Sequence, residues 1–190
     1  MKTKFFTSAY LCAFFLTFGA VASAFAQDDA DDSHQIIVEI PTVALIDIEP
    51  AGNKNITASF IQAIPLEAGE KITAPANNNT LWLNYSSIQT GAKTKRVDVS
   101  ADELVPGVDI HVVAAAAADA GAGTKGTQTG GFNLTTGPQI LINGIGSAYT
   151  LSGSGNGHQL TYSFSADDAN YANLRSGPKT VVVTYTLAEN

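Results

Sequence analysis

Three histidines, His34, His111 and His158, and one cysteine, Cys12, are the side chains of this 190-residue chain best suited to proton transfer or nucleophilic attack near neutral pH. Nucleophilic catalysis needs an activated group with a base in hydrogen-bond reach. The histidines are scattered and Cys12 sits inside an apolar N-terminal run. No serine occupies the Gly-x-Ser-x-Gly turn that presents a hydrolase nucleophile. The glycines of "GSGNG" precede His158 and open a strand, whereas a phosphate loop opens a helix. His158 is therefore expected to cap that loop or to hydrogen-bond a neighbouring strand. These residues predict a protein that is not an enzyme.

Carboxylates offer more. Asp167, Asp168, Asn170 and Asn173 cluster in "SADDANYANL", and Asp98, Asp102 and Glu103 in "VDVSADEL". Carboxylate and amide oxygens suit calcium, but neither cluster keeps the Asp-x-Asp-x-Asp-Gly spacing of an EF-hand loop. Turn formation accounts for the first cluster equally well. No cofactor is expected, and calcium is the one ion with candidate ligands. Among the aromatics, Trp82, Tyr85, Tyr149, Tyr162 and Tyr171 are a possible carbohydrate platform. Trp82 is the best placed for a ligand-facing ring, since it lies opposite Leu81 and Leu83 along its strand.

The elements that must hold these residues read as strands. In "TLWLNYSSI", Leu81, Leu83 and Tyr85 share one face; in "HQLTYSFS", Leu160, Tyr162 and Phe164 do; in "TVVVTYTL", Val181, Val183, Tyr185 and Leu187 do. Alternation with period two marks strands with one buried face. Further strands are expected at 36–40, 43–48, 55–62, 94–99, 108–117, 127–134 and 139–142, separated by turn signals such as Pro106-Gly107, Gly137-Pro138 and Asn143-Gly144. "VVAAAAADAGAG" has helical propensity, but a run this short is marginal as an isolated helix. It is read as a strand whose small side chains admit a second layer. The fold class is all-β, an antiparallel Ig-like sandwich.

The first 26 residues read as a cleaved signal peptide. Lys2 and Lys4 give a basic start, Ala9 to Val21 is apolar, and Ala22-Ser23-Ala24-Phe25-Ala26 supplies the small-residue cleavage pattern. This predicts export to the periplasm, the cell surface or the medium. Residues 27–34 form an acidic leader expected to be disordered, and 35–190 one sandwich domain. Removing 1–26 leaves no cysteine, so a hydrophobic core rather than disulfides must stabilise the domain. It also leaves eight basic residues against 17 acidic ones, a net charge of −9. That field repels nucleic acid and anionic membranes. Lys93, Lys95 and Arg96 stand close together, but they alternate along a strand beside Asp98 and read as a solvated face.

The segment "HQIIVEIPTVALIDIEP", from His34 to Pro50, leaves two alternatives open. Its first half, with Ile36, Val38 and Ile40 on one face, can pair within its own domain, with Pro41 as a bulge or hinge. Alternatively it is a strand-exchange segment supplied to another subunit, its polar leader keeping it soluble until it pairs.

The stretch "GNGHQLTYSFSADDANYANLRSGPKTVVVTYTL", Gly155 to Leu187, resembles the closing part of secreted bacterial β-sandwich proteins of the chaperone–usher pilin and spore-coat U type. In those a Gly-rich turn leads to a strand, an irregular loop, and a Gly-containing turn into a last strand of alternating Val, Thr and Tyr. The resemblance implies a pilin-like fibre subunit that assembles with copies of itself or related surface subunits, an N-terminal extension of one filling a groove in the next. The chain departs from those families in lacking their cysteine pair. The expected function is therefore a structural or adhesive surface protein; a non-catalytic module for glycan or calcium is the alternative.

Overall fold

The computed structural model describes residues 31–190, so the expected signal peptide and the first residues of the leader lie outside the described residues. The chain divides into two units, 1–38 and 39–190. The described part of the first, residues 31–38, is irregular and exposed. The second is all-β: β1 (Ala44–Glu49), β2 (Asn78–Ser87), β3 (Lys95–Ala101), β4 (Asp109–Ala117), β5 (Ala122–Gln128), β6 (Phe132–Asn133), β7 (Gln139–Tyr149), β8 (His158–Ser165) and β9 (Val183–Glu189), with one 3₁₀ turn at Tyr171–Asn173. Among the described residues, no helix is long and apolar enough to cross a membrane.

All nine strands join one antiparallel network in the order β6-β4-β8-β2-β7-β3-β9, with β1 on β2 and β5 on β7. β2 is the element shared by both halves. One of its edges pairs with β1 from Ser87↔Ala44 to Trp82↔Glu49. The other pairs with β8 at Leu81↔Leu160 and Leu83↔His158, and then with β7 at Ser86↔Tyr149. The chain leaving β7 thus continues along β2 as β8 after the loop 150–157.

The sheet folds face to face, as Tyr162 and Tyr185 show. Their strands, β8 and β9, are four steps apart in the order, about 19 Å in a flat sheet. Their hydroxyls are nevertheless hydrogen-bonded. The enclosed core takes Leu81, Leu83 and Tyr85 from β2, Val97 and Val99 from β3, Val112 and Ala114 from β4, Leu141, Ile142 and Ile145 from β7, and Leu160 and Tyr162 from β8. In β2 and β8 these are the inward positions that the alternation marks, whereas in β7 the adjacent Leu141 and Ile142 are both buried, where the pairing with β3 shifts register. Burial pushes the Tyr162 hydroxyl pKa up to about 12 and holds that of Tyr185 well above its ordinary 10, so the pair stays neutral at ordinary pH.

Several expectations need correction. Residues 36–40 form no strand; the second half of that segment does, as β1. A local hairpin between the two would need a residue with positive φ in its three-residue loop, and Pro41-Thr42-Val43 contains none suited to it. The stretch 55–62 is irregular, with one bridge between Ile61 and Thr73. The stretch 127–134 is divided between the end of β5 and the short β6, on either side of Gly130. Asn143-Gly144 is no turn, because β7 runs through it with β3 and β5 as partners on its two sides. Lys95 is not on a solvated face. It shares inward parity with Val97 and Val99, is 4% exposed, and donates from Nζ to the Ile88 carbonyl at 2.9 Å. The alanine run is a strand: β4 extends to Ala117, and Ala114 is buried against the opposing layer.

Candidate functional site

Ile36, Val38 and Ile40 are 76%, 77% and 73% exposed, and Ile37 is exposed beside them. Residues 31–43 belong to no strand. Isolated exposed apolar residues are ordinary; a contiguous run of them marks an interaction site. Glu39 breaks the run on the side opposite Val38 and Ile40, so the period-two pattern of a half-buried strand is present without a partner among the described residues.

The edges of the sandwich differ in how they are protected. β5 carries Gly123 and Gly126 at positive φ and a register shift against β7, so its outer edge is irregular. β6 has two residues. β1 presents Asp47 and Glu49 on its outer face, with Lys54 paired to Asp47 at 2.7 Å. β9 is regular over all seven residues against β3, from Ala101↔Val183 to Lys95↔Glu189. It contains no proline, glycine or lysine. The N–H of Asp102 bonds the Val182 carbonyl at 3.0 Å and that of Asn190 bonds the Thr94 carbonyl at 3.0 Å. Even-numbered residues of β9 therefore point their backbone groups to β3, and Val183, Tyr185 and Leu187 point theirs outward. Their side chains face the core but are only partly covered, as are Ile46 and Ile48 of β1. β1 and β9 approach each other along this side without pairing.

No family model, curated protein or solved structure matches this chain.

The other residues singled out from the sequence fall into structural settings. Trp82 is half-buried on the outer face, opposite Glu49 on β1 and Gln159 on β8. Glu49 accepts from the Ala51 N–H at 2.6 Å, and Gln159 donates to the Asn79 carbonyl at 2.9 Å. The acidic clusters are engaged by protein groups. Asp168 pairs with Lys71 at 2.8 Å, Asp98 with Arg96 at 3.0 Å and Glu103 with Lys179 at 2.6 Å, while Asp102 accepts from the Val182 N–H at 2.8 Å. Among the described residues, no group of three His, Cys, Asp or Glu side chains comes together to hold a metal ion. His34 is exposed, and His111 lies 3.2 Å from the Asn133 amide oxygen.

His158 is fully buried at the centre of a polar network. The register of β4 on β8 shifts between Ala114 and Ala117, leaving Ala115 outside the ladder. Its carbonyl lies 2.9 Å from Nδ1 of His158, so that nitrogen carries the proton and donates. Nε2 lies 3.0 Å from the Tyr85 hydroxyl, which also bonds the Lys125 carbonyl. Lys125 in turn donates from Nζ to the Ala118 and Ala120 carbonyls at 2.5 and 3.1 Å. One imidazole and one phenol thus tie β2, β4, β5 and β8 together at an irregular point in the sheet.

Burial holds the His158 pKa below its ordinary 6.5, against hydrogen bonds to the Ala115 and Lys125 carbonyls that favour the charged form. The unfolded chain therefore takes up the proton first as pH falls. The stability contributed by neutral His158 is complete above pH 6.5 and is lost as pH drops through and below that value. Asp47 and Asp168, with pKa values held below 3.8 mainly by Lys54 and Lys71, act only at lower pH. Urea titrations from pH 8 to pH 5 should show stability falling with acidification in the native chain and a flatter profile in His158→Gln. An equal slope in both would assign the pH dependence elsewhere.

Proposed function

We propose that this protein is an exported structural or adhesive surface component whose subunits associate by β-strand addition. The observation that carries the reading is the exposed apolar alternation of Ile36, Val38 and Ile40 ahead of a sandwich whose core is built by its own strands. A strand supplied to a sheet edge gains main-chain hydrogen bonds, and its alternate side chains are removed from water. Covering one such side chain fully is worth about 1.5–3 kcal/mol. Three together supply about 4.5–9 kcal/mol, of the same order as the roughly 4–15 kcal/mol that association costs in lost freedom. Assembly is therefore concentration-dependent and rests on all three residues together with the backbone ladder.

The test compares the native chain with one lacking residues 27–42 by light scattering across a concentration series. The native chain should form multimers and the deleted one should remain monomeric, both melting within a few degrees of each other because the core is untouched. Strictly monomeric behaviour of the native chain at high concentration would sink the reading.

A further inference from the structure

We propose that Asn143 is a self-modification site: its side-chain amide condenses with the backbone nitrogen of Gly144 to a succinimide, which water opens to aspartate or isoaspartate. The segment assigned to assembly plays no part in it.

A regular strand protects an Asn-Gly pair, because the glycine N–H is held in the ladder. β7 leaves this one unprotected. The Thr129 N–H bonds the Leu141 carbonyl at 3.0 Å, and Asn143 and Ile145 stand opposite Thr127 and Lys125, so the odd-numbered residues here turn their backbone groups to β5. Gly144 turns its N–H to the β3 side. There the register passes from Val97↔Ile142 to Lys95↔Ile145, so that β7 takes three steps against two of β3 and Gly144 has no partner in the ladder. Gly144 has φ +71°, and its N–H donates instead to Oδ1 of Asn143 at 2.8 Å. The electrophilic carbon, Cγ, is one bond beyond that oxygen, so the reacting atoms are already side by side. Asn143 is exposed, which gives water access to the ring that forms.

A second donor completes the arrangement. Nδ2 of Asn190 lies 2.9 Å from the same Oδ1 and 2.7 Å from the Thr94 hydroxyl oxygen. The Oδ1 of Asn190 faces the Arg96 guanidinium at 3.5 Å, which is consistent with this orientation of its amide. The backbone N–H of Asn190 holds the residue on the Thr94 carbonyl at 3.0 Å. As Gly144 attacks, negative charge develops on the Asn143 Oδ1, and the Asn190 amide is aimed at it.

The steps balance with water as the sole co-reactant. A solvent base takes the Gly144 N–H proton, the nitrogen bonds to Cγ, the Cγ–Nδ2 bond breaks, and ammonia leaves with a proton from solvent. Water adding at Cγ gives aspartate in an unaltered backbone. Water adding at the main-chain carbonyl carbon gives isoaspartate, with β7 running through Cβ and Cγ. Departure of ammonia makes the change irreversible, so the product records the age of the folded chain.

The chain carries its own control, because the dipeptide recurs as Asn156-Gly157. Asn156 turns its amide to the Ser152 carbonyl at 2.7 Å. Gly157 is buried, its carbonyl accepts from the Ala118 N–H at 2.7 Å, and its Cα packs so closely on β2 that a Cβ would stand 2.2 Å from the Leu83 oxygen. That peptide cannot swing toward its neighbour's side chain.

Peptide mapping by mass spectrometry, with a separation that resolves isoaspartate, tests the assignment on the native chain incubated at pH 8. The expected result is conversion at Asn143 at least about tenfold faster than at Asn156, a difference of about 1.4 kcal/mol in barrier. In urea the two sites should convert at similar rates. Asn190→Ala should slow Asn143 by about tenfold in the folded chain, less than for a sequestered oxyanion donor because water partly replaces the amide, and should leave the rate in urea unchanged. Asn143 that stays intact, or converts no faster than Asn156, would overturn the site. A tenfold gap that persists in urea would also overturn it, since local sequence and not the bulge would then set the rate. An unchanged rate in folded Asn190→Ala would remove Asn190 from the reaction.

Discussion

Leu83→Ala is expected to lower the free energy of unfolding by about 3–5 kcal/mol, the range for removing a fully buried leucine from a core that cannot collapse around the cavity. Leu83 is completely buried, on the strand that belongs to both halves of the sandwich. Its backbone neighbours are Ile48 on β1 and His158 on β8, and its side chain lies in the cluster shared with β3 and β7. A void there is bordered by strands held in several registers at once, so no single element can shift to fill it. For a domain of this size the loss corresponds to a melting temperature lower by about 6–20 °C. No disulfide cross-links the described residues, so nothing covalent limits the damage. Leu45→Ala on β1, where the side chain is largely exposed, should change stability by no more than about 0.5 kcal/mol. Paired urea denaturation curves measure both. Equal losses at the two positions would mean that β2 is not the shared inner strand described above.

The alternation of apolar residues made much of this legible in the sequence. Leu81, Leu83 and Tyr85, Leu160 and Tyr162, and Val183, Tyr185 and Leu187 all face inward as their period-two pattern requires, because a strand with one buried face records its orientation in its side chains. The same rule, applied consistently, would have placed Lys95 in the interior, since it has the parity of Val97; its charge pointed the other way, and a carbonyl at the end of β2 receives its ammonium. The Asn143-Gly144 pair misleads for a different reason. It makes a hairpin turn only when the flanking segments pair with each other, and here they pair with β3 and β5. The stretch 55–62 has strand-like residues and too few partners, which no local pattern reveals. The candidate docking segment is the reverse case. Ile36, Val38 and Ile40 carry the signature of a half-buried strand, and what the sequence lacks is any statement of whose edge they cover. The His158 network was visible only as an isolated histidine after a glycine-rich loop, because the bulge that orphans the Ala115 carbonyl arises from pairing between β4 and β8.

That loop supplies the second large effect. Gly157→Ala is expected to cost about 2–6 kcal/mol, from two separable causes. Gly157 has φ +70°, a conformation that costs a side-chain-bearing residue about 1–3 kcal/mol. A Cβ there would also stand 2.2 Å from the Leu83 carbonyl oxygen and 2.5 Å from Oδ1 of Asn84. The Leu83 oxygen is strand backbone and cannot move without displacing the pairing of β2 with β8. Asn84 is buried and holds the loop through its amide to the Gly153 carbonyl at 3.0 Å. Crowding of this kind adds about 1–3 kcal/mol. Gly155 provides the separation: its φ is +88°, and an added Cβ would meet nothing within 4 Å. Gly155→Ala should therefore show the conformational cost alone, and the difference between the two variants isolates the collision. The close approach at Gly157 is what lets the chain leave β7, loop outward and rejoin the same edge of β2 with His158 aimed at the Ala115 carbonyl. In Gly157→Ala the pH dependence attributed to His158 should weaken along with stability, whereas Gly155→Ala should keep it. Denaturation midpoints at pH 8 and pH 5 for both variants decide the matter, and equal behaviour of the two would show that the loop tolerates displacement from β2.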